Sequence, residues 1–416
     1  MGALPQAGTD TDAEELFESI TLNPMSEDPY PEYARLRSRA PVLLTTYDAL
    51  VLSRHAECDQ ALRHRSLGKS TELKALDFIQ VPQERLSQVT ERLQCSMLYA
   101  NPPDHTRLRR GVNSAFSGRH VEALRPQITA RVDQLLDGMF GEPAADFMSG
   151  FAYPLPIQVI SDLLGIPESD REAIANDVDS FAAIGEPTVD PDVLDIAIEA
   201  EARLASYFAD LLRHKRRHQA DDLLTRLATE TALTELELVS TAQLLLGAGI
   251  DTTSNQLGNI LHALLAEPGR LDRMYAGVAV RAPGSLGTAV DELIRYDPPL
   301  QFDARTVLEP VEFAGAKLEP EQTVIMILGA ANRDPERFRK PDELLFDRAD
   351  NPHLSFASGI HFCLGAYMAR LDIQIFLERL RERGLVIESA APAERRESYS
   401  VRGFARMPIR LRYVRS

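Results

Sequence analysis

Cysteine is scarce: the 416 residues contain three, Cys58, Cys95 and Cys363, scattered and odd in number. Such a set excludes a disulfide framework and fits a reducing compartment. Long apolar runs are missing as well. The most apolar stretch, Leu244 to Ile250, is bounded by Gln243 and Asp251 and falls far short of the ~20 residues that cross a bilayer. The opening Met1-Gly2-Ala3-Leu4-Pro5-Gln6 has neither the basic nor the apolar segment of a secretion signal. Gln6 stands where a myristoylation motif needs Ser or Thr. Positive charge is in deficit, 45 Lys and Arg against 62 Asp and Glu, a formal charge of −17. A chain that acidic is a poor partner for nucleic acid or an anionic membrane. Together these absences predict a soluble, cytoplasmic protein.

What is present reads as one unit. No Gly/Ser tract, Pro-rich spacer, block of like charge or repeat divides the chain, so a single domain over residues 1–416 is expected, with a loose tail over about residues 1–15. Val42-Leu43-Leu44 and Leu50-Val51-Leu52, broken at Tyr47-Asp48, predict a strand–turn–strand. A second strand-rich patch runs from Phe302 through Val311-Glu312-Phe313 to Thr323-Val324-Ile325-Met326. Elsewhere helical periodicity dominates, as in Pro126 to Met139 and Val193 to Leu212. One helix is predicted to be unusually long. Thr234 and Glu237 form a capping box, and no proline follows until Pro268. Its middle reads Gly247-Ala248-Gly249-Ile250-Asp251-Thr252-Thr253, poor helix interior at about 1 kcal/mol per glycine. Two readings stay open there: a kink or close helix packing, or a groove beside a carboxylate and two hydroxyls.

Cys58 and Cys95 read as small buried apolar residues. Cys363 differs in its surroundings, Phe356-Ala357-Ser358-Gly359-Ile360-His361-Phe362-Cys363-Leu364-Gly365-Ala366. Gly359 and Gly365 allow a tight loop whose N–H groups can turn toward the sulfur. The helix predicted from Ala366 to Arg383, stopped by Gly384, would favour a thiolate through its N-terminal dipole. One thiolate without further Cys or paired His cannot complete a zinc site. It suits a metal already held on other sides, as in haem.

Phe356-x-x-Gly359-x-His361-x-Cys363-x-Gly365 resembles, at every defining position, the haem-binding signature of the cytochromes P-450. Three further segments agree, in the family's order: Asn101-Pro102-Pro103-Asp104-His105-Thr106-Arg107-Leu108-Arg109-Arg110, Ala248-Gly249-x-Asp251-Thr252, and Glu292-x-x-Arg295. The likeness runs from about residue 30 to the C-terminus and is strongest to soluble bacterial members. It implies a mainly α fold with small β-sheets, a triangular prism of helices with a long central helix over haem b. Cys363 would supply the axial thiolate, cradled by Phe356, Gly359, His361 and Gly365, with Ala248 and Gly249 against the opposite face.

The haem propionates would be costly to bury without cations. His105 and Arg109, four apart on one helix face, can reach one carboxylate, while Arg305 and His361 can meet the other. From the family, Thr252 and Asp251 sit over the distal face and manage proton delivery to activated dioxygen. Glu292 and Arg295 read alone as an ordinary i,i+3 pair. In the family they are buried and bound to a further arginine, for which Arg348 in Leu345-Phe346-Asp347-Arg348 is the candidate.

The resemblance thus implies a monooxygenase that inserts one atom of O2 into a hydrophobic small molecule, in bacteria often a secondary metabolite. Electrons must come from elsewhere, because Gly247-Ala248-Gly249 follows no strand and no iron–sulfur cysteine cluster occurs. A ferredoxin with its reductase is the family's usual bacterial answer. Arg107, Arg110, Arg119 and Arg125 are either its basic docking cluster or a solvated helix face. Substrate-lining segments are expected around Leu76 to Tyr99, Phe181 to Ile184, Leu244 to Ala248 and Leu300 to Phe302, with a further contact from Arg402-Gly403-Phe404. Oxidative coupling or desaturation on the same cofactor, and a non-catalytic haem sensor, are the competing readings.

Overall fold

The computed structural model describes residues 10–23, 26–70, 83–186, 190–279 and 285–413. Most of these are helical, with four small sheets set among the helices. The expected strand pair forms in register, Val42 opposite Leu52 and Leu44 opposite Leu50. It joins a five-stranded sheet through parallel pairing of Leu50–Leu52 with Thr323–Ile327, which in turn pairs antiparallel with Phe302–Val307. The short strand Leu67–Gly68 closes the far edge against Phe302–Val307.

The long helix spans Glu235–Leu265, 31 residues, roughly 46 Å at ~1.5 Å per residue. Its capping box is complete: the Glu237 N–H donates to the Thr234 hydroxyl at 3.3 Å, and the Thr234 N–H to the Glu237 carboxylate at 2.8 Å. Leu238, Leu246, Leu257 and Leu261 are buried among the surrounding helices, chiefly Pro154–Leu164 and Pro191–Arg217. The main core lies here, and a second cluster of Leu50, Leu52, Val324 and Met326 seals the large sheet.

The N-terminal expectation needs correction. Residues 1–9 lie outside the described residues, but Thr11–Thr21 is a helix, so residues 11–15 are not a loose tail. Asp10 caps it by accepting from the Ala13 N–H at 3.1 Å. Ala13, Phe17 and Ile20 then pack on Tyr33 and Leu36. Three apolar positions at helical spacing suffice to dock a helix so near the chain start.

Candidate functional site

Cys363 lies in the turn between the loop that starts at Phe356 and the helix Ala366–Glu382. Its N–H donates to the Phe356 carbonyl at 2.9 Å, closing the loop on itself. Gly359 makes that turn possible: its φ is +73°, and a Cβ there would lie 2.5 Å from the Leu62 carbonyl oxygen. Gly365 acts otherwise than expected. Its φ of −82° suits any residue, and a Cβ there would meet nothing within 4 Å, so this glycine leaves space instead of bending the chain. Arg370 stacks 4.5 Å from the Phe356 ring centre and pairs with Asp291 at 2.6 Å.

Burial pushes the Cys363 thiol up, while the N–H groups of Gly365 and Ala366 and the guanidiniums of Arg109 and Arg370 pull it back only in part. The helix-start effect expected from the sequence is therefore present but outweighed by desolvation.

Sequence-remote segments converge beside the loop. The rings of His105, on the helix Asp104–Val112, and His361 stand 4.3 Å apart. Arg305, on the strand Phe302–Val307, is 2% exposed. Its Nη1 donates to Asp303 at 2.7 Å. Among the described residues, its Nη2 and the Nε2 of His361 are buried without a partner. Burial, together with the charges of Arg305, His105 and Lys69, pushes His361 down to about 3. Arg109 lies on the same helix as His105. Its terminal nitrogens donate to the carbonyls of Ile360 at 2.9 Å and Phe362 at 2.5 Å, which ties its helix to the cysteine loop. Two loop carbonyls would otherwise go unmet, and their pull fixes the side chain.

Among the described residues no group of three or more His, Cys, Asp or Glu could hold a bare metal ion. A lone thiolate suits a metal already held on its other sides. The partnerless nitrogens of Arg305 and His361 and the space left by Gly365 fit a flat, carboxylate-bearing macrocycle, haem.

On the long helix the two open readings divide between the two glycines. Gly249 is a packing glycine, since a Cβ would lie 3.3 Å from Ile160 of the helix Pro154–Leu164. Gly247 has open space, and Ala248 is exposed although Leu245, Leu246 and Ile250 are buried. The helix is thus open on one side where the motif begins. The Thr252 hydroxyl donates to the Ala248 carbonyl at 2.8 Å. Asp251 is gripped by Arg396 at 2.6 Å and by the Asn255 amide at 3.0 Å. Burial raises the Asp251 carboxyl, and Arg396 acts against that rise. Arg396 also lies 3.7 Å from Asp179 and 3.4 Å from the Tyr153 hydroxyl. Sequence reasoning missed Arg396, because it stands 145 positions from Asp251 and no local spacing marks it.

Glu292 and Arg295 are both 0% exposed. Arg295 forks onto Glu292 with two bonds of 2.8 Å, and Arg348 adds a third at 2.9 Å, so Arg348 stands at the anticipated third position. The Leu345 N–H also donates to Glu292 at 2.8 Å, while Arg295 reaches the carbonyls of Asn332 and Pro341. From there Asn332 accepts from the Leu354 N–H at 2.7 Å and donates to Ser355 at 2.9 Å. The ion-pair network therefore continues to the residue before Phe356.

Other expected positions fall out unevenly. Arg107 pairs with Asp104 and Glu237, and Arg125 with Glu122 and Glu378. Arg110 and Arg119 are exposed, and no ion pair is found for them among the described residues. Half the basic cluster is thus available to a partner. Residues 76–82 of the first lining segment lie outside the described residues. Arg402-Gly403-Phe404 is framework. Arg402 pairs with Asp297 at 3.0 Å, a Cβ on Gly403 would lie 1.8 Å from the Asn255 side chain, and Phe404 is 1% exposed. No helix among the described residues is long and apolar enough to cross a membrane.

A mainly helical chain with a cysteine in a tight loop, beside Arg305, His105 and His361 drawn from remote segments, defines the class, a haem-thiolate protein. The family model described as Cytochrome P450 matches residues 192–383. Cytochrome P450 monooxygenase PikC of Streptomyces venezuelae is 35% identical over 409 residues, covering 92% of this chain and 91% of the relative. Polyketide biosynthesis cytochrome P450 PksS of Bacillus subtilis (strain 168) is 32% identical over 414 residues, covering 95% of this chain and all (100%) of the relative. Among solved structures, P450BioI in complex with acyl carrier protein ligated to hexadec-9Z-enoic acid superimposes with a TM-score of 0.83 at 32% identity, covering 92% of this chain and 98% of that one. The chain belongs to the cytochrome P-450 family, monooxygenases that hold haem through a cysteine thiolate.

Proposed function

We propose that this chain inserts one oxygen atom of O2 into a hydrophobic small molecule, as a tailoring step in bacterial secondary-metabolite or antibiotic biosynthesis. Electrons come from a ferredoxin and its reductase in the cytoplasm. What supports the site assignment is the meeting of the Cys363 loop with His105, Arg305 and His361, the last two carrying buried nitrogens without a partner among the described residues. Cys363 is the axial ligand in this reading. Haem held by a thiolate activates dioxygen for cleavage. Arg305, His105 and His361 receive the propionates. Arg109, with Arg370 stacked on Phe356, holds the loop that aims the sulfur.

On the distal side, the Thr252 hydroxyl has its hydrogen on Ala248 and offers its oxygen as an acceptor. Asp251 is the ionisable group beside it, and its raised carboxyl can hold a proton and release it. Arg396 fixes that carboxylate until the proton is needed. Glu292, Arg295 and Arg348 are structural, acting on the cysteine loop through Asn332 and Ser355. Exposed Arg110 and Arg119 are cations that an acidic ferredoxin could meet. The substrate class is supported by relatives named for polyketide biosynthesis and solved with a fatty acyl chain.

The test is reconstitution with a surrogate ferredoxin and reductase, NADPH and isotope-labelled O2 over a panel of apolar compounds. One labelled oxygen in a product supports the proposal. Products that carry no label assign coupling or desaturation instead.

A further inference from the structure

Resting on the haem reading above, we propose that Lys69 is a further cation of the propionate site. It cancels the charge of Asp303 so that Arg305 stays positive toward the cofactor carboxylates. No motif marks this residue; three observations place it.

The first is its backbone. Leu67–Gly68 pairs with the Arg305 strand, Leu67 opposite Val307 and Gly68 opposite Thr306, so the next residue arrives beside Arg305. The Asn101 side chain then clamps Lys69 twice, accepting from its N–H at 2.9 Å and donating to its carbonyl at 2.9 Å. The Asn101 carbonyl in turn accepts from the His105 N–H at 3.0 Å, so Lys69 and His105 are set by one residue. Gly68 admits no side chain, because a Cβ would lie 2.4 Å from Asn101 Oδ1.

The second is its ammonium. Nζ donates to Asp303 Oδ1 at 2.9 Å and to the Ala304 carbonyl at 3.2 Å. The side chain is 15% exposed and that of Asp303 20%. This lysine therefore points inward and is not a solvated surface charge.

The third is how Asp303 is shared. Its Oδ1 accepts from Lys69, from Arg305 Nη1 at 2.7 Å and from the Ala304 N–H at 2.8 Å. Arg305 and Asp303 alone would be a neutral pair with little pull on a carboxylate. With Lys69 the group carries one net positive charge, and the buried Nη2 of Arg305 has no partner among the described residues. A net cation with a free donor is what an arriving carboxylate completes.

The experiment is a spectroelectrochemical titration of the haem-loaded protein as wild type, Lys69→Met, Lys69→Arg, Asp303→Asn and the Lys69→Met/Asp303→Asn double variant. Loss of the lysine charge favours the more positive ferric state, so the ferrous-to-ferric ratio at fixed potential falls several-fold. The limit is about tenfold, or about 59 mV for one electron. Asp303→Asn shifts the ratio the opposite way, the double variant returns to within about twofold of wild type, and Lys69→Arg stays at the wild-type value. Haem transfer to apomyoglobin quickens in Lys69→Met and not in Asp303→Asn. A merely structural role would weaken both single variants alike. Shifts of the same sign, or none, overturn the proposal. If the wild-type protein shows the red-shifted carbon monoxide band of sulfur ligation and the Lys69 variants keep its potential, this inference alone fails. If that band is missing, the cofactor reading fails first.

Discussion

Glu292→Gln is the sharpest test of the framework. Glu292 is fully buried and accepts from Arg295 twice, from Arg348 and from the Leu345 N–H. The glutamine keeps the shape but removes the charge that faces the two guanidiniums, and its amide nitrogen cannot accept. Stranding buried charge in this way costs about 3–5 kcal/mol, against a whole-protein stability of about 5–15 kcal/mol. With unfolding entropy near 2 cal/mol/K per residue, roughly 4 kcal/mol over 416 residues lowers Tm by about 5 °C. The local effect is larger, since the network reaches Ser355, next to Phe356 of the cysteine loop. The assay is thermal unfolding together with the haem-to-protein ratio after expression with added haem precursor. Arg337→Ala is the control: its pair with Asp350 is 32% and 78% exposed and is worth less than about 1 kcal/mol. Unchanged Tm and haem content in Glu292→Gln, or an equal loss in Arg337→Ala, would refute the reasoning.

Thr252→Ala removes the hydroxyl of the distal helix, and hydrogen peroxide released per NADPH consumed should rise several-fold while substrate binding spectra stay unchanged. Arg396→Gln removes the cation that opposes the rise of the Asp251 carboxyl. Asp251 then stays protonated to higher pH, and the acid limb of the pH profile of product per electron moves upward; a downward move contradicts the assignment. Gly359→Ala must place a Cβ 2.5 Å from the Leu62 carbonyl at a φ of +73°, at a cost of more than about 1 kcal/mol. Haem content, read from the Soret-to-protein absorbance ratio, should fall in that variant.

Much of this was legible because the signals were local. The capping box at Thr234 and Glu237, the strand pair at Val42 and Leu52, and the cysteine loop between Gly359 and Gly365 are set by residues a few positions apart. Arg348 could be anticipated only through the family likeness, as its partner lies 56 positions away. Arg396 and Lys69 were not legible at all, since their acids are 145 and 234 positions distant and a lone basic residue usually marks solvated surface. The burial of the Cys363 thiol was not legible for another reason. A dipole can be read from a helix start, whereas desolvation depends on what packs around the sulfur. The same limit applied to Arg402-Gly403-Phe404, apolar and basic like a substrate contact, yet held inside by Asp297 and Asn255. At the N-terminus, Asp10 and Phe17 were enough to order a helix where composition suggested a tail.

The whole account stands on sulfur ligation by Cys363. The reduced protein exposed to carbon monoxide should develop the strongly red-shifted Soret band of a thiolate-bound haem, and Cys363→Ala should lose it. A band at the position typical of histidine-ligated haem in the wild type, or a red-shifted band that survives in the alanine variant, would contradict it.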